Sequence, residues 1–238
     1  MTTPIQQLLD IMAQLRNPQG GCPWDLEQDY RSIVPYLLEE GYEVVEAIQT
    51  EDFSALKEEL GDLLLQVVFL SQLANEEQRF QFNDVVETLS EKLIRRHPHV
   101  FGDTSADSAT EALKNWENKK QQERLDKQQT SLLDDVPHAL PALLRAEKLQ
   151  KRAKKLGYQP TTVAQTIAQA EQQLALIKSA VAANQDHAAK PLAELLFSVS
   201  NLCRQLGLQA ESLLRDENSR FEQRAREFEQ SSSNKHFK

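Results

Sequence analysis

Two pairs of acidic residues in the first third of the sequence could do chemistry: Glu40 and Glu43 in LLEEGYEVVEAI, and Glu59 and Asp62 in KEELGDLL. Within each pair the partners are three residues apart, so on a helix both carboxylates leave the same face. If the two helices are antiparallel neighbours, the pairs face each other and form a nest of oxygen donors. Such a nest suits Mg²⁺ or Mn²⁺, hard cations that prefer carboxylate oxygens, and the absence of histidine from the set argues against zinc. Taken alone, an ExxE on a helix is an ordinary solvated face. Acids near a helix start also suit its dipole, which would account for Glu58 and Glu59 but not for Glu43.

The helices that must carry these pairs differ in character. In YLLEEGYEVVEAI, Leu37, Leu38, Gly41, Val44, Val45 and Ile48 form one apolar face, with Glu39, Glu43 and Glu46 directed away and Glu40 at the seam. The following stretch, KEELGDLLLQVVFLSQLA, is apolar almost all round beyond Asp62. Winding it puts Leu63, Val67 and Leu70 on one side, and Leu65, Phe69 and Leu73 on the side that carries Asp62. That pattern predicts a helix in the middle of a bundle. An ionised carboxylate in a dry site must be paired, neutralised or given a metal, and Lys57 is the only basic residue between Ala55 and Ser71.

Positive groups that could meet a phosphate come one helix later, at Lys92, Arg95 and Arg96, followed by His97 and His99. They serve equally well as a dipole complement at a helix C-terminus. Carboxylates and basic cluster together suggest a metal-bridged polyphosphate. No covalent nucleophile is evident, since neither the five histidines nor the two cysteines form a convincing dyad.

Around this centre the chain reads as all-α. Its 238 residues are short of glycine and rich in Leu, Ala, Glu and Gln. A first amphipathic helix ends at NPQGGCPWD, and helical patterns then cover about 34–49, 53–75 and 83–95, the last with Asn83 as N-cap. RRHPHVFGD stops that helix. SATEALKNWENKKQQERLDK, with Leu113 and Trp116 as its apolar surface, reads as a solvated linker helix, and a new helix opens near Ala142. A net charge of −9 with interspersed basic residues argues against a nucleic-acid surface. Cys22 and Cys203 make no disulfide framework, and neither a membrane span nor a leader is evident, so a soluble, cytoplasmic protein is expected.

The second half repeats the first. LGDLLLQVVFLSQL (60–73) overlays LAELLFSVSNLCRQ (192–205), and SEKLIRR overlays NSRFEQR, although Leu-rich amphipathicity alone can produce similarity of this strength. The expected organisation is a bundle over 1–128, a linker over 129–141 and a second bundle over 142–238.

Glu40-x-x-Glu43 followed by Glu59-x-x-Asp62, with the blocks GGCPWD, RRHPHVF and PALLRAEKLQKRA, resembles the MazG family of nucleoside triphosphate pyrophosphohydrolases over nearly the whole chain. The resemblance implies tandem MazG-like four-helix-bundle modules, a homodimer, and Mg²⁺-dependent cleavage of nucleoside triphosphates to monophosphate and pyrophosphate. It implies Glu40, Glu43, Glu59 and Asp62 as metal ligands, with Glu39 and Glu58 positioning water or a second ion. Lys92, Arg95 and Arg96 would bind phosphate, and Trp116 and Lys120 match a segment that closes over the site. The second copy departs from the pattern: Gln172, Gln173 and Leu176 stand where Glu39, Glu40 and Glu43 do, Lys190 and Pro191 oppose Glu58 and Glu59, and Glu194 alone keeps its acid. One carboxylate cannot hold Mg²⁺ against water, so the second site should be dead. In two-domain relatives the C-terminal copy is considered the main active one. This chain is therefore expected to act through its first copy, the alternative being a weak or inactive nucleotide sensor or scaffold.

Overall fold

The computed structural model describes residues 2–126, 131–158, 161–183 and 186–233. Its helices are α1 (Pro4–Leu15), α2 (Pro23–Glu27), α3 (Tyr30–Gln49), α4 (Phe53–Glu76), α5 (Phe82–Arg96), α6 (Pro98–Phe101), α7 (Ala109–Asp126), α8 (Ala142–Lys155), α9 (Val163–Ala182), α10 (Ala189–Gln205) and α11 (Ala210–Ser233). Among the described residues there is no strand. The chain divides into two compact units, Met1–Glu123 and Arg124–Lys238.

In the first unit α3 and α4 form a hairpin. Thr50 closes α3 by donating its backbone N–H to the Glu46 carbonyl, Glu51 donates its own to that of Ile48 and turns the chain at φ +55°, and Asp52 opens α4. The Asp52 carboxylate accepts from the backbone N–H groups of Ser54 and Ala55, both at 3.0 Å. The far end of α3 is fixed the same way, by an Asp29–Ser32 capping box.

Helix α4 is the hub, packed by α1, α3 and α5. Met12, Ile33, Val68, Phe69 and Leu73 form the buried cluster, with Leu65, Leu70 and Phe82 against it. Only the C-terminal half of α4 is buried. Toward its start Leu60 is 50% exposed and Leu64 38%. The all-round apolar pattern predicted burial along the whole helix, but within one chain the neighbours cover just its second half.

A charged clamp holds α1 to α4. Arg16 is 8% exposed and donates Nε and Nη2 to the two Glu76 oxygens at 2.8 and 2.7 Å, and its Nη1 donates to the carbonyls of Asp25 and Gln28. The guanidinium also lies 5.2 Å from the Phe69 ring centre. Next to it the backbone folds so tightly at Gly21 that a Cβ there would collide with the carbonyl oxygens of Leu15 and Asn17. Helix α5 starts one residue before the predicted cap: Gln81 is the N-cap, because the Asp84 carboxylate accepts its N–H at 2.8 Å.

The second unit is built around a hairpin of α9 and α10, with α8 and α11 against α10. Buried polar groups tie α8 to α10: Gln150 Nε2 donates to the Phe197 carbonyl at 2.8 Å and Ser200 Oγ to that of Leu143 at 3.3 Å.

Candidate metal centre

The hairpin turn sets the register of the acids. Glu43 lies seven residues before Thr50 and Glu59 seven after Asp52; Glu40 and Asp62 each lie ten away. At ~1.5 Å per helical residue, members of the two pairs stand at matching heights above the turn. One carboxylate oxygen from each of Glu40, Glu43 and Glu59 accordingly lies within 4.8 Å of the others. Asp62 is exposed beside them, close enough for its charge to act on both Glu40 and Glu59.

Electrostatics follow from that crowding. The Glu40 carboxyl is pushed above its ordinary range by partial burial, then by the charges of Asp62 and Glu43 and a hydrogen bond with Glu43. Glu59 is raised in the same way, by desolvation and then by Glu43 and Asp62. Crowding of like charges thus raises the affinity of this group for protons. The donor set is oxygen only, and it fits a hard divalent ion that would replace those protons. Glu58 adds to the field on Glu59, whereas Glu39 is exposed and outside the group of three.

The basic residues form a second assembly. Helix α5 ends with Arg95 and Arg96, and both reach Glu123 of α7: Arg95 Nε to Oε1 at 2.9 Å, Arg96 Nη2 to Oε2 at 2.5 Å. Hydrogen bonds from Arg96 and then Arg95 lower the Glu123 pKa to about 2. The Trp116 ring is flanked by Arg96 at 5.3 Å and Lys120 at 5.2 Å. Arg95, Arg96, Trp116 and Lys120 are thus brought together, while Lys92 is half-buried one turn earlier on α5. The stretch read as a solvated linker is docked helix. Glu123 escaped the sequence reading, although it shares one face of α7 with Trp116 and Lys120 through i, i+4, i+7 spacing.

In the second unit the corresponding positions carry no such group. Glu194 lies 3.8 Å from Lys190 on its own helix, both well exposed, and Leu176 is exposed on α9.

Fold and site together define an all-α protein with a cluster of carboxylates on a helical hairpin. A model of the MazG nucleotide pyrophosphohydrolase domain matches residues 28–101, which hold all four carboxylates and Lys92, Arg95 and Arg96. A nucleoside triphosphate pyrophosphohydrolase of Escherichia coli (strain K12) is 48% identical over 229 residues, 94% of this chain and 87% of that protein. The nucleoside triphosphate pyrophosphohydrolase/pyrophosphatase MazG of Thermotoga maritima is 40% identical over 225 residues, 94% and 85% of the two chains. A crystal structure of a mazG-related protein from Thermotoga maritima matches at 28% identity and TM-score 0.42, over 49% of this chain and 98% of that one. The chain belongs to the MazG family of nucleoside triphosphate pyrophosphohydrolases, enzymes that hydrolyse acid anhydrides.

Proposed function

We propose that this chain hydrolyses nucleoside triphosphates to monophosphate and pyrophosphate at the carboxylate centre of its first unit, with Glu40, Glu43, Glu59 and Asp62 holding Mg²⁺. The observation that carries this reading is the convergence of Glu40, Glu43 and Glu59 within 4.8 Å on facing turns of α3 and α4. The E. coli relative, named for the same reaction, supports it.

When bound, Mg²⁺ neutralises phosphate oxygens and acidifies a water. The chain's own groups do the rest. A carboxylate of the acidic group that is not engaged by the ion takes the proton of the attacking water as general base. Water adds at phosphorus, the bond between the α- and β-phosphates breaks, and pyrophosphate leaves. Glu39 and Glu58 flank the group and are suited to orienting water or a second ion. Lys92, Arg95 and Arg96 take up phosphate charge, and Trp116 and Lys120 close α7 over the nucleotide. Since Glu123 already holds Arg95 and Arg96, the triphosphate competes with it for both guanidiniums.

The second unit, which keeps only Glu194 of the corresponding carboxylates, serves stability or dimerisation. The α3–α4 hairpin leaves Leu38, Tyr42, Ile48 and Leu60 at least half exposed, which favours a homodimer formed through this face. The deciding experiment is pyrophosphate release from a panel of nucleoside triphosphates with and without Mg²⁺, beside Glu59→Gln and Asp62→Asn. Turnover that needs Mg²⁺ and fails in both variants is expected. Binding without turnover would instead make the chain a nucleotide sensor.

A further inference from the structure

The second unit contains a cavity that the proposed reaction does not use. It measures about 320 Å³ and is walled by Leu149, Ala153 and Phe197 of α8 and α10. Lys154 and Arg204 enter the lining and also border an adjoining cleft that holds Lys151 and Lys155. In a chain of net charge −9 this is a local reversal of sign. Glu147 is the one carboxylate among the residues lining the two.

Arg204 is oriented without being neutralised. Its Nε and Nη2 both donate to Asn201 Oδ1, at 3.2 and 2.7 Å, and Asn201 Nδ2 donates in turn to Thr161 Oγ1 at 3.1 Å. An amide fixes a guanidinium but cancels none of its charge. Among the described residues, neither Arg204 nor Lys154 has an ion-pair partner. The cavity walls beyond this point are apolar but interrupted by Thr161, Gln169 and Ser198. A saturated chain would leave those polar groups unmet, whereas a heteroaromatic ring and sugar carry donors and acceptors for them. The volume lies at the lower end of the ~300–1,000 Å³ of small-ligand pockets.

We propose that this cavity binds a nucleoside monophosphate, with the phosphate between Lys154 and Arg204 and the base and sugar along Leu149, Ala153 and Phe197. The choice of a nucleotide rests on the proposed reaction, which releases one.

The test is calorimetric titration of the full chain in EDTA, in a Glu59→Gln background, with the four common ribonucleoside monophosphates and with inorganic phosphate. EDTA removes the ion that would bridge a phosphate to the carboxylate centre, and binding is assigned to the second unit by its loss in Arg204→Gln and Lys154→Gln, which leave Lys92, Arg95 and Arg96 untouched. We expect one saturable site per chain, with at least one nucleotide bound about tenfold or more tighter than phosphate. Arg204→Gln and Lys154→Gln should each weaken it about tenfold, and Ala153→Phe should remove the advantage over phosphate. Arg204→Lys, which keeps the charge, serves if the glutamine variant melts early. Absence of saturable nucleotide binding, equal affinity for phosphate, or undiminished binding in the charge variants overturns the proposal. So does a change in oligomeric state as the sole effect of Arg204→Gln, since the cavity would then be an interface. A wild-type chain inactive in pyrophosphate release would sink the catalytic reading while leaving this titration interpretable.

Discussion

Arg96 Nη2 meets Glu123 Oε2 at 2.5 Å, and the same guanidinium lies 5.3 Å from the centre of the Trp116 ring. Helix α7 is therefore fastened to the end of α5 through a residue proposed to receive phosphate. Because Glu123 titrates at about 2 rather than 4.5, its ion pairs are fully formed above pH 4.5 and are lost as the pH falls toward 2. Trp116 fluorescence in a Trp24→Phe background should report α7 undocking in that window. In Glu123→Gln the transition should vanish; an unchanged profile would show that Glu123 does not hold the helix.

Removal of a single ligand from the carboxylate centre should be decisive for turnover. Glu59→Gln and Asp62→Asn are expected to lower pyrophosphate release about a hundredfold or more with the helical circular dichroism spectrum retained. Glu194→Gln, at the matching place in the second unit, should leave the rate within about twofold.

The same centre gives a binding prediction independent of turnover. Mg²⁺ at a hundred times its dissociation constant should stabilise the first unit by about 2.7 kcal/mol, raising Tm, and EDTA should reverse the gain. Glu40→Gln should abolish the response. Equal Mg²⁺ stabilisation of parent and variant would place the ion elsewhere.

The clamp between α1 and α4 should dominate the stability of the first unit. Arg16→Met removes the two hydrogen bonds that Arg16 gives Glu76, leaving only that from Gln72, and a loss of about 2–3 kcal/mol in urea titration is expected. Arg16 holds the Glu76 carboxyl below its usual range, so the difference between parent and variant should persist above pH 4.5 and shrink as the pH falls below it.

Gly21→Ala should also destabilise, by about 2–3 kcal/mol, because its methyl would strike two backbone carbonyls that cannot move like side chains. A full wild-type Tm in that variant would mean the loop before α2 can rearrange freely.

Much of this protein was legible locally. Apolar periodicity marked the helices, the i, i+3 spacing of Glu40 with Glu43 and of Glu59 with Asp62 put each pair on one face, and replacement of acids by Gln173 and Leu176 marked the second copy as different. These features depend on neighbours within a turn or two of helix, which sequence fixes directly. Long-range relationships were decided by the fold. The turn at Glu51 brings the two pairs to equal height, Glu123 finds Arg95 and Arg96 across 27 residues or more, and the start of α4 stays open although its residues are apolar. Each of these depends on which faces pack and which charges then become neighbours, and the energies that choose among such arrangements arise only when distant segments exclude water together.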